Sequence, residues 1–96
     1  MKSLHEIQET FATHKEKLST EYHVGHMAIF GSYARQEQTP ESDVDILVDF
    51  TEPIGIEFID LAEYLEHLLG QPVDLVSRHG IKPKYFQAIQ HDLIDV

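Results

Sequence analysis

The sequence lacks cysteine and tryptophan altogether and is poor in basic residues. Without cysteine it can form neither disulfides nor thiolate metal sites, and this composition suits a reducing compartment. Only 7 lysines and arginines stand against 17 aspartates and glutamates, so the formal net charge is −10. A nucleic-acid backbone needs a basic stripe, and we therefore expect no direct binding of DNA or RNA. A nucleotide is not excluded, because a metal ion can supply positive charge locally.

Long apolar runs are also absent. No stretch approaches the ~20 apolar residues of a membrane helix, and the opening MKSLHEIQET turns polar too early for a signal peptide. We therefore expect a cytoplasmic protein without membrane contact. The 96 residues fit a single domain over residues 1–96. Such a small domain has little surface to spare for a deep pocket, so a partner could contribute part of a substrate site.

Hydrophobic periodicity predicts alternating helices and strands. The helices are expected over residues 3–22, 56–69 and 84–94, and the strands over residues 27–30, 43–50 and 72–76. Residues 32–38 could add one or two helical turns. The order helix, strand, strand, helix, strand, helix indicates an α/β or α+β domain, with helices covering a small sheet. The link between the first two strands allows an antiparallel or a mixed arrangement.

The two longer helices carry recognisable signals. Ser3 and Glu6 match a capping box at the start of the first helix, and Gly25 is expected to break this helix. Gly70 is expected to stop the second helix. Its apolar stripe is expected to comprise Ile59, Ala62, Leu65 and Leu69. Phe58 and Leu61 lie off this stripe and could form a partner surface or a second buried side.

Two carboxylates stand at the start of the best strand, in the segment SDVDILV. Residues i and i+2 of a strand project from the same face, roughly 6.5–7 Å apart at Cα. Asp43 and Asp45 can therefore converge on one cation or bracket two metals ~3.5–4 Å apart. Mg²⁺ suits such a site because it accepts a few carboxylates and completes its octahedron with water and phosphate. Without a metal, the two charges should raise one another's pKa.

Asp74 and the pair Gly31-Ser32 are further candidates for the same site. Asp74 lies within the predicted strand PVDLV, where an unpaired charge is costly. It could face the other carboxylates and act as a general base, or it could be a strand-edge aspartate facing water. Gly31 and Ser32 follow a strand, where backbone N–H groups and a hydroxyl can hold phosphate. The same dipeptide is also a common turn.

The combined pattern is far more specific than its parts. Gly-Ser, ten residues, then Asp-x-Asp is expected by chance in roughly one chain in a thousand of this length. With the later Val-Asp-Leu-Val, residues 27–76 resemble the active-site signature of the DNA polymerase beta-like nucleotidyltransferase superfamily. The length and flanking helices resemble, more narrowly, the minimal nucleotidyltransferase (MNT) domains that act as antitoxins in HEPN/MNT toxin–antitoxin pairs.

The resemblance implies a polymerase beta-like fold and a role for each motif residue. Gly31 and Ser32 would hold the nucleotide phosphates. Asp43 and Asp45 would ligate two Mg²⁺ ions, and Asp74 would complete a catalytic and metal-binding carboxylate triad. Arg35 matches the basic residue that follows the loop in the family; the resemblance assigns it to nucleotide binding, and it is expected to be partly structural, pairing with an acidic neighbour. Gln36 departs from the family, which commonly has glycine there, so the path of the turn is in question.

The resemblance also implies the reaction and the partner. The superfamily transfers a nucleoside monophosphate from a triphosphate to a hydroxyl and releases pyrophosphate. For the antitoxin family, the implied substrates are ATP and a tyrosine of the cognate HEPN ribonuclease toxin. Attachment of AMP to this tyrosine would silence the toxin, and the antitoxin and toxin would form a hetero-complex. The alternatives are a toxin-binding module without catalysis and a nucleotidyltransferase for a small-molecule acceptor. A sugar-nucleotide transferase is a further alternative, although it would need a longer chain.

Several other features receive a simpler interpretation. The seven histidines show no convincing zinc-ligand spacing and are expected at the surface. Asp49 is expected at a solvated strand end. Lys82 and Lys84 form a small basic spot around Pro83, which is expected to be solvated rather than to meet nucleotide phosphate or the partner. Tyr33 is expected to pack in the core rather than against a nucleotide.

Overall fold

The computed structural model describes residues 2–96 and has the predicted order of elements with one strand added. The elements are α1 (Leu4–Thr13), α2 (Lys15–Tyr22), β1 (Val24–Phe30), β2 (Val44–Phe50), α3 (Glu57–Leu69), β3 (Val73–Ser77), α4 (Pro83–Ile89), a 3-10 turn (Gln90–Asp92) and β4 (Ile94–Asp95). The α+β class is therefore confirmed. None of the helices within residues 2–96 is long and apolar enough to cross a bilayer.

The four strands form one mixed sheet in the order β3-β2-β1-β4. β1 pairs antiparallel with β2 and with β4, whereas β2 and β3 run parallel. The expected small mixed sheet is thus confirmed. The predicted helix over residues 84–94 was too long, because Ile94–Asp95 pairs with β1 instead. A two-residue strand is too short to produce a periodic signal, and the sequence analysis missed it.

The N-terminal segment is two helices rather than the single one predicted. The capping box at Ser3 is present, with Glu6 closing it. The chain bends at His14, whose φ of −106° and ψ of 15° leave the helical range. The second helix ends at His23, which adopts the left-handed conformation at φ 57°. The role given to Gly25 was therefore wrong, since Gly25 lies inside β1 where the pairing register shifts.

The two faces of the sheet have different surroundings. Val44, Ile46 and Val48 point to the main core and are fully buried against the helices α1 to α3. Alternation turns Asp45, Leu47 and Asp49 to the opposite face. Half of that face is covered by α4 and the following turn, where Leu47 packs in a small cluster with Phe30 and Ile89. The other half, around Asp45, carries the candidate site.

The buried stripe of α3 differs from the predicted one at its start. Leu61, Leu65 and Leu69 face the core at 0–3% exposure, whereas Ile59 is 58% exposed. Leu61 is therefore part of a buried side, not a partner surface. The i, i+4, i+8 series fits a straight stripe facing the sheet, and Ile59 falls on the other side of the helix.

Leu61→Ala should lower the free energy of unfolding by about 3 kcal/mol, because it removes a fully buried side chain and leaves a cavity. Ile59→Ala, two residues away on the same helix, should change it by less than about 0.5 kcal/mol. Urea unfolding of both variants measures the difference. Equal losses would mean that the buried stripe includes Ile59 after all.

Candidate active site

Asp43 and Asp45 flank the first residue of β2. Val44 between them is fully buried in the core, so the strand alternation directs both carboxylates to the opposite face. Asp43 is exposed and Asp45 is half-buried. The two predicted site residues therefore share the uncovered part of the sheet face.

Asp74 lies beside Asp45 across the parallel strand pair. The register of β2 and β3 pairs Asp45 with Asp74, and paired residues of neighbouring parallel strands project from the same face, about 4.8 Å apart. Asp74 is exposed to solvent. It is therefore both a water-facing residue and a neighbour of Asp45, two interpretations that the sequence had offered as alternatives.

The electrostatics of Asp45 reflect this crowding. Burial raises the pKa of the Asp45 carboxyl, and the negative charges of Asp74 and Asp43 raise it further, to about 6. The positive charge of Arg35 acts weakly in the other direction. A carboxylate in this position gains from any cation that binds beside it, because the cation offsets both the desolvation and the repulsion.

The donor set suits a hard cation. Three carboxylates supply only oxygen ligands, which is the chemistry that Mg²⁺ prefers. Within residues 2–96, however, no three histidine, aspartate or glutamate side chains are gathered into a ready-made ligand group. Binding would therefore require the exposed Asp43 and Asp74 side chains to turn toward Asp45, which surface rotamers permit at low cost.

The Gly31-Ser32 loop abuts Asp45 directly. Gly31 follows β1 with φ +73°, and a Cβ built on it would overlap Oδ2 of Asp45 and lie 3.1 Å from its Cγ. A larger residue here would be strained in this conformation and its Cβ would clash with Asp45, so glycine is required for the close approach. The predicted helical turn is present as a hydrogen-bonded turn outside the assigned helices, with Arg35 N–H donating to Gly31 O at 3.1 Å and Glu37 N–H to Ser32 O at 2.8 Å.

Arg35 is held by two acidic partners. Its Nε donates to Glu37 Oε1 at 2.6 Å, and its Nη1 donates to Asp92 Oδ2 at 2.9 Å. These hydrogen bonds raise the pKa of the guanidinium. The expected pairing with an acidic neighbour is confirmed, while nucleotide contact by Arg35 stays a prediction. Asp92 was missed in the sequence analysis, because nothing in the local sequence marks its contact with a loop 57 residues away.

Gln36 keeps the turn despite its side chain. Its φ is 57°, the left-handed conformation that glycine would adopt most easily. The chain therefore holds at Gln36 a backbone conformation that glycine would adopt without strain.

Two of the residues interpreted as structural lie where the sequence placed them. Tyr33 is fully buried in the main core, and its hydroxyl accepts a hydrogen bond from Nε2 of Gln71, so core packing is confirmed. Asp49 is exposed at 3.4 Å from Nε2 of His79, away from the carboxylate group at the other end of β2.

The raised pKa of Asp45 has a consequence for stability. Its folded pKa of about 6 lies above the usual 3.8, so the folded state binds this proton more tightly than the unfolded state. Ionisation of Asp45 therefore lowers the stability of the metal-free protein progressively as the pH rises from about 4 to about 6, and the loss stays constant above pH 6 at about 1 kcal/mol after solvent screening. Urea unfolding of wild type and Asp45→Asn at pH 4, 5, 6 and 7.5 tests this. The difference should grow from pH 4 to pH 6 and level off towards pH 7.5, and a constant difference over the whole range would contradict the raised pKa.

The sequence model of the nucleotidyltransferase domain family matches residues 12–95 of the chain. This chain belongs to that family. Two nucleotidyltransferase relatives align over its full length. A candidate protein adenylyltransferase of Methanocaldococcus jannaschii is 48% identical over 100 residues, which covers 100% of both chains. The protein adenylyltransferase MntA of Thermococcus cleftensis is 42% identical over 97 residues, covering 100% of this chain and 98% of MntA.

Solved nucleotidyltransferase structures share the fold. A structure described as a candidate minimal nucleotidyltransferase gives a TM-score of 0.83 at 29% identity, covering 99% of this chain and 97% of the other. A chain of a toxin–antitoxin crystal structure with AMP-PNP gives 0.72 at 26% identity, covering 86% and 69%. A chain of the Shewanella oneidensis complex of tri-AMPylated HEPN toxin with MNT antitoxin shares the fold at 0.67 and 23% identity, covering 93% and 70%. The expected minimal nucleotidyltransferase fold is confirmed.

Proposed function

We propose that this protein is an antitoxin that transfers AMP from ATP to a tyrosine hydroxyl of a cognate HEPN toxin. The observation that carries the proposal is the register of β2 and β3, which sets Asp74 beside Asp45 while the Gly31 loop abuts the same carboxylate. Family membership supports nucleotidyl transfer, and the protein adenylyltransferase relatives support AMP as the transferred group. We expect the protein to act in the cytoplasm, where ATP and Mg²⁺ are available.

The roles of the residues follow from their places around the site. Gly31 and Ser32 bring backbone N–H groups and a hydroxyl to the triphosphate. Asp43 and Asp45 would hold Mg²⁺, two ions being the number that the family resemblance implies. Bound there, the metal supplies positive charge that stabilises the attacking and leaving oxygens. Arg35 braces the loop through Glu37 and Asp92 and adds positive charge near the phosphates.

Asp74 completes the chemistry as a proton acceptor. The acceptor oxygen forms a bond to the α-phosphorus of ATP, while the bond from this phosphorus to the bridging oxygen breaks and pyrophosphate leaves. Asp74 takes the proton from the attacking hydroxyl. It suits this task because it is exposed next to Asp45, on the side of the site that an incoming protein can reach.

A protein acceptor is consistent with the open site. The carboxylates lie on a sheet face with Asp43 and Asp74 exposed, so the chain itself encloses little of a small acceptor. A tyrosine on a partner protein would bring its own surface to cover the site and exclude water. The solved toxin–antitoxin complex with AMP-PNP supports a partner of this class.

The experiment that tests the proposal is a transfer assay with the cognate HEPN protein, Mg²⁺ and ATP labelled at the α-phosphate. We expect label on a toxin tyrosine, loss of the label with a chelator, and no label from ATP labelled at the γ-phosphate. Transfer from γ-labelled ATP would identify a kinase instead. If the protein neutralised the toxin without transferring label and without requiring ATP, the proposed enzymatic activity would be refuted, and a toxin-binding module without catalysis would be favoured.

A further inference from the structure

Tyr85 is a large side chain that the packing of the domain leaves accessible. It lies in the first turn of α4 and is 44% exposed. Its ring makes a T-shaped contact with Phe30, with centroids 6.4 Å apart and an interplanar angle of 83°. The contact fixes the ring on one side and leaves a substantial part of it open to solvent.

Phe30 places this ring beside the carboxylate site. The register of β1 and β2 pairs Phe30 with Asp45, so their side chains project from the same face about 5 Å apart at Cα. Phe30 also directly precedes Gly31 of the phosphate loop. Across the sheet, the face therefore carries Asp74, Asp45 and Phe30 in a row, and the Tyr85 ring contacts Phe30 at the end of this row.

The segment that bears Tyr85 is anchored to the same loop. Ile89, one turn further along α4, is buried in the cluster with Phe30 and Leu47. The turn that follows supplies Asp92, which receives the 2.9 Å hydrogen bond from Arg35. Packing and this ion pair therefore hold the Tyr85 ring in a set position relative to Gly31 and Ser32.

The other large exposed apolar residues of the described chain lie elsewhere. Ile56 and Ile59 are 72% and 58% exposed at the beginning of α3, which follows the carboxyl end of β2 and is remote from Asp45. Tyr85 is also flanked by two exposed lysines, Lys82 and Lys84. In a chain of net charge −10, these lysines make the approach to the Tyr85 ring less repulsive for a polyanion.

We propose that Tyr85 is the stacking wall for the base of the nucleotide whose AMP is transferred. The inference rests on the proposed function, since it needs a nucleotide at the carboxylates. In AMP the ribose separates the base from the phosphorus, and the Tyr85 ring contacts Phe30, whose partner in β2 is Asp45. A ring stacks on any base, so Tyr85 contributes affinity and positions the nucleoside, while selection among bases needs hydrogen bonds from other groups.

The test compares Tyr85→Ala, Tyr85→Phe and Ile59→Ala as full chains. Stacking predicts that Tyr85→Ala raises the Kd for AMP-PNP and the KM for ATP about ten- to fifty-fold, with kcat within about threefold. Tyr85→Phe keeps the ring and should stay within about twofold of wild type. Ile59→Ala removes an exposed apolar side chain far from the site and should bind AMP-PNP as wild type does.

Tripolyphosphate, which has no base, separates stacking from a structural role. Its Mg²⁺-dependent affinity should be the same in wild type and Tyr85→Ala. If Tyr85→Ala lost as much affinity for tripolyphosphate as for AMP-PNP, Tyr85 would only support the loop. If its affinity for both were unchanged, Tyr85 would not be part of the nucleotide site. Either result overturns the inference. Failure of wild type to bind or transfer any nucleotide would instead refute the proposed function itself.

Discussion

Asp45→Asn should reduce AMP transfer to the HEPN protein by at least about 1,000-fold while the protein remains folded. Asparagine has the same shape but lacks the negative charge that would hold a cation between the triphosphate and the sheet. The substitution also removes a carboxylate whose pKa is raised to about 6 by burial and by Asp74 and Asp43. The melting temperature of the metal-free variant at pH 7.5 should therefore equal or exceed that of wild type.

Asp49→Asn is the matched control for this result. Asp49 lies on the same strand and the same face, four residues further along, near His79. It should transfer AMP at the wild-type rate, whereas Asp43→Asn should resemble Asp45→Asn. Initial rates with α-labelled ATP and circular dichroism of each variant are the measurements. Wild-type transfer by Asp45→Asn would show that the chemistry takes place elsewhere.

Gly31→Ala should lower transfer by about 100-fold and also destabilise the fold. An alanine Cβ at this position would overlap the carboxylate of Asp45, so the loop and Asp45 must separate. A displacement of about 1 Å at reacting groups is enough for a loss of this size. The φ of +73° adds about 1–2 kcal/mol of backbone strain. Transfer rates and urea unfolding would record the two effects.

Gly70→Ala separates strain from overlap. Gly70 has nearly the same φ, +67°, but an added Cβ there meets nothing within 4 Å among the atoms of residues 2–96. It should lose about 1 kcal/mol of unfolding free energy and keep wild-type transfer. If Gly70→Ala lost activity as strongly as Gly31→Ala, general strain would explain the loss, and the contact of Gly31 with Asp45 would not matter.

The motif region could be predicted in some depth from the sequence. The alternation of side chains along a strand placed Asp43 and Asp45 on one face, because a strand has only two faces, and Val44 between them is buried on the other. The capping box at Ser3 could also be predicted, because its hydrogen bonds join residues only three apart in the sequence. The roles of Gly31, Ser32, Asp43, Asp45 and Asp74 remain predictions of the sequence, to which the structure adds their proximity.

Features that join distant segments could not be predicted. Asp74 could reach Asp45 only if β3 lay next to β2, and the sequence left this open until the parallel register was known. Asp92 pairs with Arg35 because α4 returns across the sheet face. Tyr85 lies within a predicted helix, and only the contact of its ring with Phe30 in the structure connects it to the candidate site.

The sequence by itself therefore determined the local structure: strand faces, one helix cap and the glycine turn, together with the family. Local hydrogen bonds and side-chain periodicity act over a few residues and are legible in a single chain. Only the tertiary structure decided which segments meet, which α3 residue enters the core and where the last two residues pair. These outcomes follow from the joint burial of apolar surface by all elements, a property that no single segment encodes.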